Sequence, residues 1–298
     1  MPKPKLKTVK KDPKKLTHDD EVYVDHNSEF IEFIMHKNNL SQHKAMKLYE
    51  LGWNSFEGGF SSNKYSNFSD FYSEIFSWKH GNSKDTYHET YKFHAPIDFF
   101  RMLSYKAYTS PRDVEVYKKI SEFLYEVAER DGNITLVDYG AGLAHITLTL
   151  AKILKFRGVE LEIVFVDIDR FMFKEFLKFI CEKYGHRFKF IDIDSNNPYP
   201  KIPKFDFLQI KDVFEHVHSP KKILNNIMKS SKDDSIISAT TDDERPEMMH
   251  VTTDLKCIRD GLEENNFISS GKSWFLRGEI YMRSDRWDRY ENKYGLLR

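Results

Sequence analysis

At Ile134 the periodicity of the chain changes, and everything downstream reads as one alternating pattern. Short apolar runs at Ile134–Tyr139, Glu162–Asp167, Phe188–Ile193, Phe205–Ile210 and Ser235–Thr240 read as strands. Amphipathic stretches at Ala144–Phe156, Phe171–Tyr184 and Pro220–Ser230 read as the helices between them, and Asp254–Asn265 as a helix after the fifth. Two further strands are expected near Ile268–Phe275 and Gly278–Arg283. A strand that is apolar on both faces must be covered on both faces. Strands separated by helix-length crossovers pair in parallel. The pattern therefore predicts an α/β fold, a mostly parallel sheet with helices on both sides. No internal repeat is found.

Composition narrows the rest. The chain has 298 residues, 40% hydrophobic and 31% charged, which is a globular profile. Lys+Arg and Asp+Glu both total 46, so a body built for nucleic acid is not expected. No apolar run approaches the roughly 20 residues of a membrane span. No apolar segment follows the lysine-rich N-terminus as it would in a secretory signal. Cys181 and Cys257 lie far apart, which excludes a disulfide scaffold and fits reduced thiols in a cytoplasmic protein.

The N-terminal part divides in two. Residues 1–17 carry seven lysines with Pro2, Pro4 and Pro13 between them, and read as a disordered tail. Residues 18–130 read as a helical, aromatic-rich cap. Ser28–Met35 has a helix-like apolar face, Ser41 is a plausible N-cap for Gln42–Leu51, and Ser110-Pro111 reads as N-cap then first turn. Helices are also expected over Ser69–Trp78 and Ile97–Lys106. The aromatic run Trp53–Trp78 lacks the interleaved basic residues of a nucleic-acid platform, so it reads as core or as a homodimer surface.

The chemistry concentrates at strand ends. The first strand runs into Asp138-Tyr139-Gly140-Ala141-Gly142-Leu143-Ala144-His145, and a helix follows. Glycines there let backbone approach a ligand closely, and a helix N-terminus offers free N–H groups. A dinucleotide fingerprint would need glycine at His145, and there is no phosphate-binding G-x-x-x-x-G-K-[ST]. Asp167, with Ile168 beside it, ends the second strand, where a carboxylate can accept both hydroxyls of a ribose. Asp169 reads as a helix N-cap. Asp192-Ile193-Asp194 ends the third strand and could take an adenine amino group. The fourth ends in Asp212-Val213-Phe214-Glu215-His216-Val217-His218-Ser219-Pro220.

Together these segments resemble the class I S-adenosylmethionine-dependent methyltransferases, nearest to the branch of the ubiquinone-biosynthesis O-methyltransferases. Asp138–Ala144 is similar to that family's D/E-x-G-x-G-x-G loop. Asp167 falls at its ribose-binding acid and Asp194 at its adenine-side acid, with Asp192 the register alternative. Asp212–Pro220 is similar to its D-V-x-E-H-V-x-D-P segment. His250–Asp254 and Gly261–Phe267 look like that branch's later H-x-x-x-T and L-x-x-x-G-F stretches. The resemblance covers about residues 110–284. It departs at Ala144, where a third glycine is usual, at His145, and at the acidic run Thr240–Glu244.

The resemblance implies a Rossmann-like sheet of seven strands with an antiparallel last strand. It implies S-adenosylmethionine as cofactor and S-adenosylhomocysteine as product. The cofactor contacts it carries over are Asp138, Gly140, Ala141, Gly142, Asp167, Ile168, Asp194 and Asp212. A hydroxyl acceptor also needs a base, and His216, Asp212 and His250 are the candidates. His216 and His250 read equally as packed residues, and His218 as a loop histidine. No metal is expected, although magnesium on Asp212, Glu215, His216 or Asp242 is an alternative some relatives suggest. His94, Arg101 and His145 are the substrate candidates, with Arg101 able to hold an anion through two hydrogen bonds. The expected activity is methyl transfer to a small polar acceptor, most simply onto the oxygen of a sugar or other polar metabolite. N-methylation of a protein or nucleotide, and a cofactor-binding regulator without turnover, are the alternatives.

Overall fold

The computed structural model describes residues 26–58, 111–168, 171–242, 250–269 and 278–294. The expected tail, the helices at Ser69–Trp78 and Ile97–Lys106, the N-cap Ser110, Asp169, and the substrate candidates His94 and Arg101 lie outside the described residues.

The chain opens with helices α1 (His26–Asn38), α2 (Gln42–Gly58) and α3 (Pro111–Asp131). Then follow β1 (Ile134–Tyr139), α4 (His145–Phe156), β2 (Leu161–Ile168), α5 (Phe171–Tyr184), β3 (Arg187–Ile193) and β4 (Phe205–Ile210). After a 3-10 turn at Phe214–His216 come α6 (Pro220–Ser230), β5 (Ser231–Ala239), α7 (Lys256–Glu264), β6 (Phe267–Ser269), β7 (Glu279–Arg283) and α8 (Ser284–Tyr294). The strands form one seven-stranded sheet in the order β3-β2-β1-β4-β5-β7-β6. β1 pairs in parallel with β2 and β4, β2 with β3, and β4 with β5, while β7 runs antiparallel to both β5 and β6. The α/β sheet expected from the pattern, and the Rossmann-like arrangement with an antiparallel last strand implied by the resemblance, are present.

The two-residue period of the strands divides the core. Leu136, Ile163, Phe165, Phe207, Ile236 and Ile280 point to the face covered by α3, α4 and α5. Their neighbours Val137, Val164, Val166, Leu208, Ile237 and Tyr281 point to the face covered by α6 and α7. Every residue of β4 is buried, as a central parallel strand requires. The chain leaves β1 toward β2 and β3, then returns to β4 on the other side of β1. That reversal opens a crevice at the carboxyl ends of the strands, between β1 and β4.

Helix α1 lies on α5. Phe33 meets Phe176 edge-on at 5.7 Å and Phe179 at 5.6 Å, and Phe30 meets Phe176 at 6.4 Å. Glu29 is buried beneath this contact. It accepts from Lys183 Nζ at 2.8 Å and from the Tyr184 hydroxyl.

Several bounds differ from the sequence reading. β5 begins at Ser231, not Ser235, because its polar start is paired. Lys232 Nζ donates to both Asp206 oxygens at 2.8 and 2.7 Å, and Arg130 and Arg286 both meet Asp234. α7 begins at Lys256, since Asp254 Oδ1 accepts from the Lys256 N–H at 2.8 Å and stands outside the helix. α8 was not expected. Its sequence is nearly all polar, and among its described side chains Trp287 is buried. Among the described residues no helix is long and apolar enough to cross a membrane.

Candidate functional site

The loop after β1 takes three left-handed turns of backbone: Gly140 at φ 72°, Gly142 at 49° and Ala144 at 48°. The first two suit glycine. The third places an alanine in a region that costs non-glycine residues about 1–2 kcal/mol. The loop is tied at both ends. Gly140 N–H donates to Val166 O at 2.7 Å, extending the β1–β2 ladder. Gly142 N–H donates to Asp167 Oδ2 at 2.8 Å, and Ile168 N–H to Asp167 Oδ1 at 2.7 Å. A carboxylate offers about four lone-pair sites, so these bonds leave Asp167 able to accept more. The Ala144 N–H closes a turn on Ala141 O at 2.6 Å, and α4 starts at His145 without a side-chain cap.

β4 delivers the opposite wall. Asp212 stands just past its end at φ 52°, with Thr240 Oγ1 at 3.5 Å. Val213 presses on the glycine loop. A Cβ on Gly140 would sit 2.3 Å from Val213 Cγ2, so any larger residue there would force Val213 or the loop to shift. Asp138 and His145 are buried at the base of this arrangement.

Between the ends of β2 and β3 and the start of α5 lies a narrow cleft. Phe165, Ile168, Phe173, Leu177 and Phe190 give it apolar walls. Asp167, Asp192 and Lys174 give it a polar edge, and Lys174 Nζ pairs with Asp192 Oδ1 at 2.5 Å. Ala141 and Gly142 close it. Apolar walls beside carboxylates suit the edge of a flat apolar group that carries hydroxyls. Of the two acids at the end of β3, Asp192 lines it. Asp194 Oδ1 instead accepts the Asn196 and Asn197 N–H groups at 2.8 and 2.7 Å, closing its own turn. The sequence reading missed Phe173 and Lys174. Their signal was position, since the first turn of a helix that follows a strand lies over that strand's carboxyl end.

A second group gathers past β4. Glu215 is only 2% exposed, and His216 and His250 are half-buried beside it. Their ligand-type atoms all lie within 4.8 Å of one another, with His216 Nε2 3.9 Å from Glu215 Oε1. The two imidazoles meet edge-on, with centroids 5.0 Å apart. Two backbone bonds hold the distant segments together: Val251 and Thr252 N–H donate to Glu215 O at 2.7 and 3.1 Å. The structure thus joins His216 to His250, and brings in Glu215, while neither Asp212 nor Asp242 belongs to this group.

The β5–β7 side of the crevice is closed by Thr241, whose Oγ1 lies 2.6 Å from the Tyr281 hydroxyl and donates to Glu279 Oε2 at 3.1 Å. Burial, then the Glu279 carboxylate, pushes the Tyr281 phenol well above its ordinary value, so it stays protonated. Of the acidic run, Thr240–Asp242 is described, and 243–249 lies outside the described residues.

Residues 130–292, more than half of the chain, match the family described as "Methyltransferase domain". No curated protein matches. Among solved structures, the chain is similar to a Listeria monocytogenes protein provisionally assigned as a class I S-adenosylmethionine-dependent methyltransferase. That match has 13% identity over 86% of each chain, with a TM-score of 0.42. It is also similar to the mitomycin 7-O-methyltransferase MmcR, with 14% identity over 82% of this chain and 70% of that one, TM-score 0.43. A third likeness is the precorrin-6y C5,15-methyltransferase of Geobacter metallireducens, with 14% identity over 50% and 77%, TM-score 0.34. Likenesses this distant say nothing about the acceptor.

Proposed function

The chain belongs to the methyltransferase domain family and uses S-adenosylmethionine, and on that premise we propose that it methylates an oxygen of a small polar acceptor. The observation that carries the reading is the bond from Gly142 N–H to Asp167 Oδ2. It joins the glycine loop and the acid of β2 at the open end of the sheet, beside a cleft with apolar walls.

In this reading Asp167 accepts the ribose hydroxyls. Ile168 and Phe190 contact the base, and Asp192 or Asp194 takes its amino group. Gly140, Ala141 and Gly142 lend backbone to the amino-acid end, with Asp138 beneath them and Asp212 opposite. The cofactor supplies a methyl carbon made electrophilic by its bond to a sulfonium sulfur. What the chain must add is alignment, exclusion of water and a route for the acceptor's proton. We assign the proton to the Glu215, His216 and His250 group, which lies across the crevice from the cleft. The Asp212–Pro220 segment and His250 support placement near the ubiquinone-biosynthesis O-methyltransferase branch. The acidic groups of Asp242 and Glu279 on this side favour a sugar or other polar metabolite over a long lipid.

The test is a screen of acceptors with methyl-labelled S-adenosylmethionine. Label on the hydroxyl of a polar metabolite is the expected result. Label on hydrophobic quinone precursors alone, or on amines alone, would overturn the acceptor assignment. Cofactor binding with no transfer to any acceptor would favour a regulatory role.

A further inference from the structure

We infer that Gln209 and Ser238 are specificity-determining residues that hold a neutral hydroxyl or amide group of the acceptor. The inference deepens the O-methylation reading and rests on it for the identity of the ligand. Asp138 is the last residue but one of β1, Gln209 of β4 and Ser238 of β5. In the sheet register Asp138 pairs with Gln209, and Gln209 with Ser238. By the two-residue period all three side chains share the face of Leu136, Phe207 and Ile236, the one covered by α3, α4 and α5. They form a polar row across three central strands, just below the carboxyl ends where open α/β sheets bind ligands.

Two observations single out Gln209 and Ser238. Gln209 is 6% exposed and Ser238 is fully buried. Gln209 Oε1 and Ser238 Oγ have no hydrogen-bond partner among the described residues, although the two residues are direct neighbours in register. Burying polar atoms without partners is costly. A chain that needed only packing at these positions would carry apolar side chains, as it does two residues earlier at Phe207 and Ile236. Thr147 and Thr149 of α4 also bury hydroxyls without partners among the described residues. A helical threonine, however, reaches a carbonyl of the preceding turn by rotation about one bond. A strand side chain stands perpendicular to the sheet and has no such carbonyl beside it.

The order of the strands indicates the ligand. In the proposed reading the cofactor's nucleoside lies at β2 and β3 and its amino-acid end at the loop after β1. Its methyl group then falls at the crevice between β1 and β4, and the acceptor approaches from the β4 and β5 side. Neighbouring strands lie about 4.8 Å apart, so Gln209 and Ser238 are one and two strand spacings beyond Asp138. An amide and a hydroxyl each donate and accept, and neither carries a charge. They match a neutral polar group better than an ion. Their part is to orient the acceptor, not to move its proton.

The experiment compares the full-length wild type with Gln209→Met, Ser238→Ala and the double variant. Calorimetry measures S-adenosylhomocysteine binding, and thermal unfolding is followed without ligand. Transfer of labelled methyl from S-adenosylmethionine is measured on a panel of neutral monosaccharides and amines. S-adenosylhomocysteine binding should be unchanged in every variant. Unfolding should occur at the wild-type temperature or above it, because a buried polar atom without a partner has been removed. KM for the sugar that the wild type methylates should rise at least tenfold, with kcat little changed. An unchanged KM would mean that the pair holds ordered water only, and earlier unfolding would mean that it braces the sheet. Either result overturns the proposal. A wild type that methylates only amines would overturn the O-methylation reading instead. The pair then stands as an acceptor site if KM for that amine rises in the variants, and falls if it does not. A wild type that binds S-adenosylhomocysteine and methylates nothing overturns both.

Discussion

The carboxylate of Asp167 accepts the backbone N–H of Gly142 at 2.8 Å, tying the end of β2 to the loop after β1. Gly142 is buried, so its N–H has no easy substitute partner in water. Asp167→Ala should therefore lose about 1–3 kcal/mol of stability, the cost of an unmade buried hydrogen bond. Denaturant unfolding checks this. A variant as stable as the wild type would mean that the bond does not order the loop.

The second prediction concerns Gly140. Alanine there would adopt φ 72° and press a methyl group to 2.3 Å from Val213 Cγ2. The backbone cost is about 1–2 kcal/mol and overpacking adds about 1–3 kcal/mol. Val213→Ala should restore the second part and not the first. A double-mutant cycle measures this directly, and strict additivity of the two substitutions would remove Val213 as the cause.

The pattern of apolar runs made the sheet legible because β1, β2 and β4 are buried on both faces and tolerate little but aliphatic and aromatic residues. The loop was legible because positive φ at Gly140 and Gly142 leaves a trace in residue type. Ala144 leaves none, since its left-handed turn is enforced by the structure around it. The first half of β5 was hidden because Lys232 and Asp234 are satisfied by partners far away in sequence, so no alternation betrays the strand. Glu215 with His250 was hidden for a related reason. Each residue alone is an ordinary polar residue, and only the backbone bonds from Val251 and Thr252 bring the two segments together.

His186 gives the chain a pH dependence. It is buried, neither ring nitrogen has a hydrogen-bond partner among the described residues, and burial followed by the charge of Lys155 pushes its pKa down from 6.5 to about 4. The unfolded chain takes up this proton near pH 6.5 and the folded chain only near 4. Stability is thus full above about pH 6.5 and falls as pH drops toward 4, by up to about 3 kcal/mol. Unfolding free energies across that window should show the slope in the wild type. It should be shallower in His186→Phe, and equal slopes would contradict the assignment.

Helix α1 is held to α5 by one face. Phe33 is 3% exposed and contacts both Phe176 and Phe179, so Phe33→Ala should cost about 3 kcal/mol at that contact. Glu29→Ala leaves the Tyr184 hydroxyl without its acceptor and should cost about 1 kcal/mol. Limited proteolysis reads the outcome. Cleavage within residues 26–58 should quicken in both variants and more in Phe33→Ala. Unchanged cleavage would mean that α1 is held by something other than these residues.

The central claim is that the loop of Gly140–Gly142 and the acid Asp167 bind S-adenosylmethionine. Titration calorimetry with S-adenosylmethionine and S-adenosylhomocysteine, on the wild type and on Asp167→Ala, tests it most directly. The account predicts saturable one-to-one binding of both compounds by the wild type, weakened at least tenfold in the variant. Binding of equal strength in the folded variant would contradict the role given to Asp167, and a folded wild type that binds neither compound would contradict the claim itself.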